Sequence, residues 1–159
     1  MTDLVKFTAG GLPPENVTAY GAEVVENLSG RVVARVRNAV ATSGDPTAHA
    51  EVLAIRQACA AFGSLDLSGF SLYTTCEPCA MCMGACHWAR IGRVVYGFTL
   101  KDSARHFPEL SLPARWVAAC SPFRCAVIGP VARALCLTLL PGRVPGSENS
   151  ATAKAAALR

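Results

Sequence analysis

A mixed α/β sheet with helices on both faces is the fold class this 159-residue sequence predicts. Three observations predict it. Short runs rich in β-branched and aromatic residues alternate with amphipathic stretches, giving helix, strand, helix, strand after an initial strand pair. The length suits one domain with a single sizeable core. The apolar share is 52% and the charged share 16%, against a usual charged share of about 25%. So few charges leave a monomer short of polar cover, which implies apolar surface meeting another subunit.

Residues 1–18 carry the breakers Gly10-Gly11 and Pro13-Pro14 and are expected to form an irregular N-terminal segment. Ala19 to Val25 and Arg31 to Arg37 read as two strands around a turn at Asn27-Leu28-Ser29-Gly30. In the second, Arg31, Val33, Arg35 and Arg37 alternate with Val32, Ala34 and Val36. Asp45-Pro46 is expected to begin a helix, with Asp45 or Thr47 as its cap and Pro46 in its first turn. Val52, Ile55, Cys59 and Phe62 then share one face, and Gly63 ends it. Phe70 to Thr75 is a third strand, and Pro78 opens a second helix reaching about Arg90. Val94-Val95-Tyr96 is a fourth strand. Residues 98–122 read as irregular, with a short helix from Leu112 to Cys120. Cys125 to Gly129 is a fifth strand and Val131 to Leu140 a last helix. The domain is thus expected over 19–140. Residues 141–159, rich in Gly, Ser, Ala and Asn, are expected to form a disordered tail.

Eight cysteines could form a disulfide framework, but that needs a secreted context. Met1 to Lys6 shows no basic segment followed by an apolar core, and no apolar run reaches membrane-spanning length. The expected location is therefore the reducing cytoplasm, without membrane association. There, a C-x-x-C points to metal or redox chemistry. The net charge of +4 allows an anionic ligand but lacks the dense basic stripe of a nucleic-acid binder.

Two motifs carry the chemistry: His49-Ala50-Glu51, and Pro78-Cys79-Ala80-Met81-Cys82. Zinc accepts imidazole and thiolate together, so His49, Cys79 and Cys82 can fill three tetrahedral positions and leave the fourth for water. Cys79 and Cys82, three apart, share one helix face. Glu51 is then left to move protons. The joint match of both motifs disfavours a plain redox pair. A closed structural site remains the alternative, with Cys76, Cys86 or His87 as fourth ligand. The combination is the H-x-E…P-C-x-x-C signature of zinc-dependent nucleobase deaminases.

The phrases Asp45-Pro46-Thr47-Ala48-His49-Ala50-Glu51-Val52, Thr75-Cys76-Glu77-Pro78-Cys79-Ala80-Met81-Cys82-Met83-Gly84-Ala85 and Trp88-Ala89-Arg90 resemble the base-processing branch of the cytidine deaminase-like superfamily. The likeness is to bacterial guanine deaminases first. The tRNA adenosine deaminases come next, through the stretch Arg90 to Gly97. It implies a three-layer α/β/α fold around a five-stranded mixed sheet, one catalytic zinc per subunit and a homodimer. It implies a small base or nucleoside as substrate, guanine before tRNA adenosine or cytosine. It places the zinc ligands on His49, Cys79 and Cys82 and the proton shuttle on Glu51. It also suggests substrate contacts at Asn38, Ala50, Trp88 and Glu109. A catalytically silent, zinc-stabilised binding protein is the alternative of another class. The chain departs from the family in two places. A long N-terminal covering helix is not evident, which would leave apolar sheet surface bare. Phe107-Pro108-Glu109 also stands where guanine deaminases place a phenylalanine followed by an aspartate.

Overall fold

The computed structural model describes residues 1–10, 20–108 and 110–141. The tail from residue 142, Glu109 and residues 11–19 lie outside the described residues, so what was expected of them is not addressed below. Five strands form one sheet: β1 (Gly21–Glu26), β2 (Val32–Arg37), β3 (Phe70–Cys76), β4 (Arg93–Phe98) and β5 (Ala126–Ile128). Their order is β2-β1-β3-β4-β5. β1 runs antiparallel to β2 and β3, whereas β3, β4 and β5 run parallel. The mixed sheet follows from the connections. A short turn joins β1 to β2, while β3 reaches β4 only through a helix, as a parallel crossover requires.

Helices α3 (Ala50–Phe62), α4 (Ala80–Trp88) and α6 (Ala114–Ala119) cover one face. Their Ala50, Ala54, Ile55, Ala58, Met83, Cys86 and Ala114 share a core with Ala22, Val24, Leu72 and Val94 of the strands. Helices α1 (Thr2–Ala9) and α7 (Arg133–Cys136), the latter continued by a 3-10 turn at Leu137–Leu139, pack on the other face. Val5, Phe98, Cys136 and Leu137 form the core there. Short helices α2 (Val40–Ser43) and α5 (Leu100–Ser103) complete the three layers. Among the described residues no helix is long and apolar enough to cross a membrane.

The N-terminal segment departs from its expected irregularity. Thr2–Ala9 is helical because the breakers begin only at Gly10, leaving two turns free. An isolated helix this short is marginal, so docking stabilises it. Leu4, Val5 and Thr8 are buried, and Arg37 Nε donates to the Phe7 carbonyl at 3.0 Å with its guanidinium 3.9 Å from the Phe7 ring centroid. The sheet face expected to be bare is covered by this helix.

Two helix starts also differ from expectation. Asp45 does not cap α3. Its carboxylate accepts the Thr47 N–H and hydroxyl, both at 2.7 Å, closing a local turn that postpones the helix to Ala50. The last helix begins at Arg133, because Ala132 sits in the left-handed region at φ 52° and cannot continue a helix from Val131. At the far end of α3, Gly63 takes the left-handed cap that stops the helix, at φ 65°.

Candidate active site

Both motifs lie at helix starts. His49 is the N-cap residue of α3, and Cys79 that of α4. α4 follows directly from β3, so Cys79 and Cys82 stand beyond the C-terminal end of a central parallel strand, where α/β sheets open their crevices. α3 packs across β1 and β2 and meets α4. The two N-termini are thereby brought together.

His49 Nδ1 lies 3.8 Å from Cys79 Sγ and 3.5 Å from Cys82 Sγ, and the two sulfurs are 3.6 Å apart. A tetrahedral ion with Zn–S of about 2.3 Å and Zn–N of about 2.0–2.1 Å has S···S edges of about 3.8 Å and S···N edges of about 3.6 Å. The donor set and its spacing therefore fit zinc. Among the described residues the metal-capable group contains these three and no fourth ligand, so Cys76, Cys86 and His87 do not close the site.

The two thiols are electrostatically unequal. The hydrogen bond with Cys82 holds Cys79 low, at about 4 against burial, and the His49 ring helps. Cys82 is pushed up, first by that same bond and then by burial. Two sulfurs this close share one proton until a cation neutralises them both.

Glu51 is the second residue of α3, buried at 5% exposure. Its Oε2 is 3.5 Å from Cys82 Sγ, and its Oε1 accepts the Thr74 hydroxyl at 2.7 Å. Burial raises its pKa above the ordinary carboxylate range, and the Thr74 bond pulls it partly back. A carboxyl so placed can both take up and release a proton.

A cleft of about 190 Å³ opens over this group, lined among others by Tyr20, Asn38, His49, Glu51, Cys79 and Phe107. That is below the 300–1,000 Å³ typical of pockets for drug-sized ligands and matches the scale of one heterocyclic base. Asn38 is on its wall. Its Oδ1 accepts the Val40 N–H at 2.9 Å, which orients the carboxamide with its NH₂ as donor toward a ligand. Ala50 is fully buried at the start of α3 and contributes its small size between His49 and Glu51. Trp88 does not line the cleft of its own chain. It closes α4 at 81% exposure, its ring 5.2 Å from that of His87. Glu109 lies outside the described residues. Thr74 and Tyr20 were not singled out as site residues in the sequence. The strand period places Thr74 on the face of Leu72, but only the packing of α3 shows that this side meets Glu51.

A family model described as the cytidine and deoxycytidylate deaminase zinc-binding region matches residues 3–98. The chain is 49% identical over 85 residues to a guanine deaminase of Bacillus subtilis (strain 168), covering 54% of this chain and 53% of that protein. It is 51% identical over 70 residues to a tRNA-specific adenosine deaminase of Agrobacterium fabrum, covering 44% of this chain and 46% of the other. A crystal structure of a protein in complex with 8-azaguanine superposes with a TM-score of 0.77 at 26% identity, covering 87% of this chain and 79% of that one. The chain spans about half the length of the curated relatives it matches.

Proposed function

The chain belongs to the family of the cytidine and deoxycytidylate deaminase zinc-binding region, and on that premise we propose that it hydrolytically deaminates a nucleobase, guanine first, to xanthine and ammonia. One observation carries the reading. His49, Cys79 and Cys82 form an open three-ligand group with the buried Glu51 beside it, at the floor of a base-sized cleft. A zinc ion held there supplies, when bound, Lewis acidity and a water whose pKa falls to about 7.

The chain's own residues would do the rest. Glu51 accepts a proton from the attacking water and delivers it to the ring nitrogen beside the carbon under attack. It then passes the second proton to the departing amine. The C–N bond to the amine breaks as the new C–O bond becomes a carbonyl, so water and guanine balance xanthine and ammonia. Thr74 keeps the carboxylate aimed, and Asn38 offers its NH₂ to an acceptor on the base. Substrate contacts at Ala50 and Glu109, expected from the resemblance, stay part of this proposal; a contact from Trp88 would have to be made in the cleft of a partner subunit, since it does not line that of its own chain. The domain expected over 19–140 would also include α1, whose buried face completes the sheet. A homodimer and a cytoplasmic location complete the reading. The eight free thiols suit a reducing compartment.

A second reading, adenosine in tRNA, is favoured by the 51% identity to a tRNA-specific adenosine deaminase. Against it, Arg133 is already paired with the Asp102 carboxylate, which neutralises much of its charge toward a polyanion. The deciding experiment follows xanthine formation and ammonia release with guanine, cytosine, adenine and a tRNA anticodon stem-loop. Guanine is expected to give the highest kcat/KM. A site that hydrogen-bonds its substrate rejects analogues lacking those groups by roughly 10⁴-fold. Preference for the stem-loop or for cytosine would overturn the substrate. Background ammonia release with every compound would favour a catalytically silent zinc protein.

A further inference from the structure

Glu77 stands two residues before Cys79, yet neither the ligand group nor the proton chemistry uses it. Its side chain is buried. Its two carboxylate oxygens accept backbone N–H groups far apart in sequence. Oε2 takes that of Leu100 at 3.2 Å, and Oε1 that of Ala114 at 3.0 Å. Leu100 is the first residue of α5 and Ala114 the first of α6. Between them runs the stretch that carries Phe107 and Pro108, both on the wall of the cleft. Packing holds this stretch poorly on its far side. A second cavity of about 420 Å³ lies between α5 and residues 110–113, again with Glu77 on its wall. Leu110 and Leu112 are 65% and 41% exposed. On the cleft side the Phe107 ring meets Tyr20 edge-on at 5.8 Å. Glu77 therefore separates two cavities and fastens both ends of the segment that overhangs the cleft.

We propose that Glu77 is a positioning residue that sets where Phe107 and Pro108 stand over the cleft. It does so by holding both ends of the segment that carries them. A carboxylate suits this task, because it is acceptor-only and has one oxygen for each N–H. Glutamine has the same shape but one oxygen, and its NH₂ would face a buried backbone N–H with no acceptor for either. The kinetic consequences rest on the deaminase reading; the structural ones do not.

The test compares the full chain with Glu77→Gln and Phe107→Ala. In Glu77→Gln, zinc is expected to stay near one per chain. Hydrogen exchange should rise in peptides covering 99–118 and stay unchanged over 80–88. The Kd for 8-azaguanine and the KM for guanine should rise roughly tenfold, as expected for losing a buried hydrogen bond that orders the site, with kcat little changed. Phe107→Ala should raise Kd and KM similarly without altering exchange at Leu100 and Ala114. The proposal is overturned by unchanged exchange over 99–118 or by loss of zinc. It is equally overturned by loosened exchange with unaltered Kd and KM. A wild-type chain that neither binds the analogue nor releases ammonia removes the deaminase reading. The exchange comparison still decides whether Glu77 holds the segment.

Discussion

At the scale of single residues, the Glu51 carboxyl is caught between two opposing influences. Burial raises its pKa, and the Thr74 hydroxyl lowers it. A general base must be ionised in the free enzyme, so the acid limb of kcat/KM follows this group upward in pH as its pKa rises. Thr74→Val removes the lowering influence with little change of shape. The acid limb should move to higher pH, which a pH–rate profile will check; a shift to lower pH would contradict the assigned pair. Glu51→Ala should keep zinc and lose about 10²–10⁴-fold in turnover. Cys79→Ser should lose most of the metal, because it removes one of three ligands. Metal analysis beside steady-state rates separates the two roles. The candidate ligands His49, Cys79 and Cys82 and the neighbouring Glu51 were legible as two motifs, whereas the helix start at Ala50 was not, because the Asp45 turn postpones it. Thr74 was not, since its role depends on how α3 lies across the sheet, and no local pattern encodes that angle. Glu77 was legible only as a letter in a phrase, because its partners Leu100 and Ala114 come later in the chain by 23 and 37 residues.

At the scale of elements, α5 was read as irregular although it carries its own start signal. Thr99 accepts from the Asp102 N–H, and the Asp102 carboxylate accepts from the Thr99 N–H, a reciprocal cap that Thr99-x-x-Asp102 announces. What no local signal announces is that Asp102 also binds Arg133 of α7 through Nε at 2.9 Å and through Nη2. Arg133 first, and the Thr99 cap further, hold the Asp102 carboxyl at about 2 against burial. A depressed carboxylate contributes stability above its unfolded value near 3.8, and that contribution fades as pH falls through about 2. Because Arg133 is partly open to solvent, about 1 kcal/mol is a realistic share. Asp102→Asn should lower the denaturation midpoint at pH 7, and the gap from wild type should close toward pH 2 in an acid-unfolding series. Gly97 in β4 sets a second such constraint. A Cβ there would overlap Cys136 Sγ of α7 and the Thr75 carbonyl oxygen of β3. Gly97→Ala should cost about 1–3 kcal/mol by overpacking, measurable as a shift in urea midpoint.

At the scale of the whole molecule, the reason for expecting a second subunit moves from one side to the other. The low charged fraction implied apolar surface, and the sheet face without a long covering helix was where it was expected. α1 closes that face, with Leu4 and Val5 buried. Exposed aromatic surface lies instead along α4 and α6. Trp88 is 81% exposed, Trp116 61% and Phe123 40%. The rings of Trp88 and His87 lie 5.2 Å apart and those of His87 and Phe123 5.4 Å apart, with the Arg90 guanidinium 4.6 Å from the Phe123 ring. α6 packs beside α4, so Trp116 belongs to the same side. Tryptophan and arginine are the residue types that dominate interface energetics when buried. This side, rather than the cleft of its own chain, is where Trp88 would be used. Light scattering of the wild-type chain at micromolar concentration should give twice the monomer mass. Trp88→Glu should shift the equilibrium toward monomer by about 2 kcal/mol or more, roughly thirty-fold in dissociation constant. Zinc content should stay unchanged, because Trp88 touches no ligand. A wild-type monomer at those concentrations would remove the assembly. A dimer indifferent to Trp88→Glu would move the interface to another face.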